Sequence, residues 1–105
     1  MPAGLHAVSF RRAGPLVPHR AGGLRAGSVR LPPGGVMNWH STRAREELLL
    51  GLRGIVRLET ERRGRIRRRT IRAGSCVLLP RQTRHRVVNR SPAPAHYLYV
   101  TAPGA

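Results

Sequence analysis

The sequence predicts an all-β fold in a single domain, and three observations carry that expectation. Glycine (12) and proline (9) together form a fifth of the 105 residues, which favours short elements joined by tight turns over long helices. Apolar and polar residues alternate with period two in segments such as Ile55–Glu61, the mark of a strand with one buried face. Such segments recur about nine times along the chain, as in a sandwich or barrel.

Taken in order, a first edge strand is expected around Ala7–Arg12, followed by a loose loop from Pro15 to Gly23. Residues 1–23 thus read as an edge strand and loop, and 34–89 as the core of one domain spanning 1–105. Leu24–Leu31 is a strand ended by Pro32-Pro33-Gly34-Gly35, which cannot continue a ladder. Val36–His40 is extended again, Ser41–Arg45 is a polar loop, and Glu47–Leu52 is a short apolar strand before a turn or bulge at Gly54. Ile55–Glu61 and Arg65–Arg72 form a hairpin with its tip at Arg62-Arg63-Gly64. Ala73-Gly74 turns the chain into Cys76–Leu79, read as a buried strand with Cys76 a small buried hydrophobe. His85–Asn89 and His96–Thr101 complete the set, separated by Ser91-Pro92-Ala93-Pro94. On the last strand Tyr97 and Tyr99 share one face, while His96, Leu98 and Val100 share the other; the latter set reads as core lining.

Twenty basic residues, all arginine, face four acidic ones, for a formal charge of +16. This excess predicts salt-sensitive, sequence-independent attraction to polyanions. A codon bias toward Arg, Ala, Gly and Pro explains the absence of lysine, so nucleic acid is not the expected partner. One contiguous basic face would argue for such a partner; an even spread would not. A single cysteine excludes an internal disulfide. No apolar run approaches the ~20 residues that span a membrane, and no apolar leader opens the chain, so a cytoplasmic protein is the expectation. The sequence has no Ser-His-Asp order, glycine-rich phosphate loop, CxxC pair or aromatic nucleic-acid platform.

Two stretches carry chemistry. In the first, Gly34 is followed after five residues by His40-Ser41-Thr42, after four more by Glu47, and after six more by Gly54. In the second, Gly74 is followed after five residues by Pro80-Arg81-Gln82, after two more by His85, and after three more by Asn89. Both resemble the paired motifs of the cupin superfamily, in order, over the middle half of the chain. The departures are Thr42 in place of a second histidine and Gln82 in place of a turn glycine.

The resemblance implies a double-stranded β-helix, the cupin or jelly-roll barrel. It also implies a divalent metal (Fe, Mn, Zn or Ni) held by His40, Glu47 and His85, a donor set suited to any of these. Open coordination positions would serve water, substrate or dioxygen. It implies a small organic ligand in the interior, an oxygenase or isomerase if the protein is an enzyme, and a homodimer. The residues bear on the site as well: strand neighbours alternate in facing, so only one of Glu46 and Glu47 can face inward, and the resemblance, through the motif's six-residue interval to Gly54, implies Glu47. Glu46 is left to pair with an outer arginine. Thr42, two residues from His40, is expected to point its hydroxyl into the pocket. Val87, Asn89, His96 and Leu98 are further pocket candidates. Trp39 faces away from His40, one arginine of Arg65–Arg72 could clamp a carboxylate, and His6 and His19 carry no signal. No catalytic residue is identified. The alternative is a metal-free or non-catalytic binding module on the same barrel, with a basic nucleic-acid-binding module behind it.

Overall fold

A computed structural model of the protein describes residues 4–18 and 22–104; His19 and part of the expected loop before Gly23 lie outside them. Nine strands and no helix are present among the described residues: β1 (Gly14–Pro15), β2 (Arg25–Leu31), β3 (Val36–Ser41), β4 (Arg45–Arg53), β5 (Ile55–Arg62), β6 (Arg65–Arg72), β7 (Cys76–Leu79), β8 (Arg84–Val88) and β9 (Ala95–Pro103). They form two sheets, ordered β1-β2-β9-β4-β7 and β3-β8-β5-β6, with every pairing antiparallel. This is the all-β jelly-roll barrel that the turn spacing and motifs predict. No described helix is long and apolar enough to cross a membrane.

The core lies between the sheets. Val29, Leu31, Leu49, Leu79 and Tyr97 come from the first, and Val56, Leu58, Ile71 and Val87 from the second. Period-two patterning puts these residues inside and their neighbours outside. Gly54 joins β4 to β5 at φ 72°, and a Cβ there would meet the Pro94 carbonyl oxygen at 2.6 Å. Both facts demand glycine at this hinge.

Three expectations are corrected. No strand forms at Ala7–Arg12; the segment is exposed and bent, and the first strand is Gly14–Pro15. Its carbonyls find side chains instead of a ladder: Phe10 accepts from Ser28 Oγ at 2.7 Å and Arg11 from Arg30 Nε at 2.6 Å. Cys76 is exposed, as is Leu78, because β7 turns only Val77 and Leu79 toward the core. On β9 the faces are reversed. Tyr97 and Tyr99 face the interior, so Leu98, Val100 and His96 face outward.

Candidate metal centre

The site begins with a bulge. β3 pairs with β8 as Met37↔Val87 and then His40↔His85, with a register shift between. One extra residue in β3 brings Met37 and His40 to the same inner face although they are three positions apart. His40 and His85 are therefore direct cross-strand partners, and their ring centroids lie 4.2 Å apart. Glu47 arrives from the opposite sheet on β4, where it pairs with Leu79 and Thr101. It is 8% exposed, while Glu46 points out to solvent and makes no ion pair among the described residues, contrary to expectation. Donor atoms of His40, Glu47 and His85 all lie within 4.8 Å of one another.

The hydrogen bonds fix the tautomers. His85 Nδ1 lies 3.0 Å from the Thr83 carbonyl and His40 Nδ1 lies 2.7 Å from the Asn38 carbonyl. A carbonyl can only accept, so each Nδ1 carries the proton and each Nε2 is left for another partner. Glu47 Oε2 sits 3.4 Å from His85 Nε2. Ligands bound at about 2.0–2.2 Å stand roughly 3–3.5 Å apart, so this pair already has the spacing of a shared ion. Burial pulls the His85 pKa down, but the Glu47 hydrogen bond, the Thr83 carbonyl and the Glu47 charge outweigh it, and the net shift is upward. A proton on Nε2 thus competes with a metal for the same lone pair.

The trio lies in a cavity of about 330 Å³ lined also by Arg25, Val29, Met37, Thr42, Arg45, Val87, Tyr97 and Tyr99. Its volume is at the lower end of small-molecule sites. Burial raises the Tyr97 phenol far above its ordinary range, with Glu47 and Tyr99 adding to the effect, so it stays protonated. Arg45 is locked on Thr101, donating to Oγ1 at 2.8 Å and to the carbonyl at 3.1 Å, and on the Gly23 carbonyl. Arg25 at the same mouth is exposed and makes no side-chain hydrogen bond among the described residues.

Of the other candidates, Val87 lines the cavity and is 1% exposed. Thr42 also lines it but lies just past β3, and its hydroxyl is not free. It donates to the Pro80 carbonyl at 2.8 Å and accepts from the Thr83 amide at 3.0 Å, tying down the turn that orients His85. Asn89 is outside the pocket. Its amide donates to the Leu31 and Ala93 carbonyls and its oxygen accepts from Ser91, so it clamps the far turn. His96 is buried on the outer face, with Nε2 2.6 Å from Ser28 Oγ. Leu98 shares that outward face.

Trp39 does face away from His40, as read, but its partners went unforeseen: the Arg84 and Arg86 guanidiniums stand 5.3 and 5.0 Å from its ring centroid. Glu59 was missed as well. It is fully buried on the outer face of β5 and bonded by Arg86 and Arg68. Its opposition to Arg68 and Arg86 across two register lines could have been found only by pairing the strands first.

The sequence profile described as "Cupin domain" matches residues 27–101. No curated protein sequence matches the chain. Among solved structures, a Cupin 2 conserved barrel domain protein from Salinispora arenicola is 26% identical at TM-score 0.72, with 87% of this chain and 74% of that one covered. The TT1209 protein of Thermus thermophilus is 22% identical at TM-score 0.75, covering 90% of this chain and 84% of that one. A recombinant oxalate oxidase in complex with glycolate is 20% identical at TM-score 0.71, covering 77% of this chain. This chain spans only 42% of that oxidase's length.

Proposed function

Because the chain belongs to the cupin family, we propose that it holds a divalent metal ion on His40, Glu47 and His85 and binds or converts a small organic molecule beside it. The observation that carries this reading is the pair of imidazoles whose Nδ1 protons are held by backbone carbonyls, leaving both Nε2 atoms for a shared ion beside Glu47. Iron, manganese, zinc and nickel all suit two imidazoles and one carboxylate. When bound, such an ion supplies Lewis-acid polarisation of a substrate oxygen and open positions for substrate. The exposed guanidinium of Arg25 at the cavity mouth suits an anionic group on the ligand. Structural neighbours include an oxalate oxidase in complex with glycolate and a sugar phosphate isomerase of a cupin superfamily, which supports an oxygen-rich small molecule and, for an enzyme, dioxygen-dependent or isomerase chemistry. Metal analysis of purified protein, followed by turnover of a hydroxy-acid and sugar panel with added Fe(II), tests it. Protein that takes up no divalent metal overturns the reading.

The second reading is a non-catalytic binding module. It is favoured by a cavity whose acids and bases outside the proposed ligand set are two tyrosines and two arginines. We further propose a homodimer. Leu48 and Leu50 of β4, Leu78 of β7, and Leu98 and Val100 of β9 lie in register on the outer face of one sheet, a continuous apolar surface of the kind that marks an interface. Leu78→Arg should convert a dimer to a monomer in sedimentation velocity without lowering its melting temperature at limiting dilution.

A further inference from the structure

A second concavity, larger than the candidate metal pocket, lies apart from it. A cleft of about 1080 Å³ opens between the edge strands β6 and β7, and it shares no lining residue with the cavity that holds the histidines. Arg62, Arg63, Arg65, Arg67 and Arg81 line it, with Glu61 as its one carboxylate. That carboxylate is taken by Arg84 at 3.1 Å. The other three glutamates belong elsewhere, so none of the five guanidiniums has a glutamate partner.

The hairpin that presents these arginines breaks local rules to do so. Arg62 lies directly opposite Arg65 in the ladder, and like charges in that arrangement repel. Arg65 and Arg67 are two apart on one strand and share a face. At the tip, Arg63 and Gly64 both have positive φ, 53° and 76°. That is the two-residue turn in which Asn-Gly is ordinarily preferred, because a long side chain is strained there. On the opposite bank Gln82 is also left-handed, at φ 57°. Two of the three described non-glycine residues with positive φ, Arg63 and Gln82, line this cleft, the third being Arg43 outside it, and repulsion and strain gathered on one concave surface suit a site completed by a ligand of opposite charge.

We infer that this cleft binds a chain of linked phosphates, two or three long. Guanidinium forks match phosphate oxygens bidentately, and the five come from two separate elements, four from the β5–β6 hairpin and one from the turn after β7, which suits a ligand with several linked anionic groups. No aromatic residue lines the cleft, so it lacks the stacking platform that single-stranded nucleic acid uses. The chain can be free inorganic oligophosphate or the tail of a nucleotide.

Isothermal titration of the metal-free full chain at physiological salt tests the inference, with inorganic triphosphate as the probe. One-to-one binding is expected, at least tenfold tighter than for orthophosphate. The variant Arg63→Gln/Arg65→Gln/Arg67→Gln should weaken it tenfold or more. The charge-matched variant Arg12→Gln/Arg53→Gln/Arg90→Gln, altered at exposed sites away from the cleft, should weaken it less than threefold. If the cleft triple fails to fold, Arg65→Gln and Arg81→Gln singly should each weaken binding about threefold. ATP binding tighter than triphosphate would identify a nucleotide, and equal or weaker ATP binding the inorganic chain; either supports the site. Equal losses in the two charge-matched triples would overturn it, because the attraction would then belong to the net charge alone. So would displacement by an oligothymidylate at lower concentration than triphosphate, which would make the ligand a nucleic acid.

Discussion

The two buried glutamates sit on opposite faces of the barrel wall and meet opposite kinds of partner. Glu47 faces inward toward two imidazoles whose Nδ1 protons are held by backbone carbonyls, with its Oε2 3.4 Å from His85 Nε2. Glu59 faces outward and is covered by guanidiniums: Arg86 at 2.5 Å, Arg68 at 2.9 Å and Arg57 at 3.8 Å. A guanidinium has no lone pair and never gives up its proton, so the Glu59 cluster can only hold strands together. Neutral imidazoles offer lone pairs, so the Glu47 cluster can take an ion. Burial of a carboxylate by itself therefore says nothing about chemistry; the partners decide it.

The largest effect that would sharpen this contrast is on metal retention. His85→Ala removes one of three proposed ligands and should weaken divalent metal binding by more than about 100-fold, beyond what the loss of an orienting partner costs. Competition with a chromophoric chelator measures it. If His85→Ala retains metal like the parent, Glu47 belongs with Glu59 as a structural carboxylate, and the contrast collapses.

Next in size is the outer cluster. Glu59→Gln leaves Arg86, Arg68 and Arg57 facing one another across β5, β6 and β8. Breaking a buried pair costs about 3–5 kcal/mol. These arginines are partly solvated, with Arg68 57% exposed at its side chain, so about 2 kcal/mol is expected after screening. Urea unfolding should show that loss while metal affinity stays within a factor of two. A Glu59→Gln protein of unchanged stability would reduce the outer cluster to a solvated surface.

Eight of the nine strands were legible in the sequence, because turn chemistry and period-two patterning are local. The cupin motifs brought His40, Glu47 and His85 together before any coordinates, because their intervals fix which strand ends meet. What failed was non-local. The order of the sheets decides which face of β9 is inside, and both faces of that strand are apolar enough to serve, so Leu98 and His96 were placed inward where Tyr97 and Tyr99 belong. Cys76 and Leu78 look like core residues by composition but lie outward on β7. Segment 7–12 has strand-like residues, but the Ser28 and Arg30 side chains claim its carbonyls. Asn89 holds a motif position for a structural reason, clamping the turn after β8. Thr42 could not be judged without its partners, the Pro80 carbonyl and the Thr83 amide.

That double bond makes Thr42 a link between the inner site and its supporting turn, with an effect smaller than the first two. Thr42→Val should cost about 1 kcal/mol, as it leaves the Thr83 amide unpaired while the Pro80 carbonyl keeps the Thr83 hydroxyl at 2.8 Å. It should also lower metal affinity less than about tenfold, since the Thr83 carbonyl that orients His85 loses one anchor. Thr42→His cannot simply add a fourth ligand, because the imidazole would have to abandon both bonds. A Thr42→His variant that gains metal affinity at no cost in stability would show that the turn does not depend on Thr42.

The smallest effect sets an inner histidine against an outer one. In metal-free protein the pKa of His85 is raised: burial opposes the charge, but Glu47 and the Thr83 carbonyl outweigh it. Its contribution to stability is therefore full below the unfolded value of about 6.5 and is lost as pH rises through the folded value. The pKa of His96 is lowered, by burial first and then by the Arg30 charge, against the Phe10 carbonyl. Its contribution is full above about 6.5 and is lost as pH falls through the folded value. In the parent the two slopes have opposite signs on either side of about pH 6.5, so the melting temperature should be highest near that pH and fall in both directions. His96→Gln should leave a protein that loses stability as pH rises through neutrality. His85→Gln should leave one that loses it on acidification. Scanning calorimetry of the two metal-free variants reads the slopes directly. Slopes of the same sign would mean that one of these rings has a different partner, and the division of the barrel into an ion-accepting interior and a strand-holding exterior would fail at that residue.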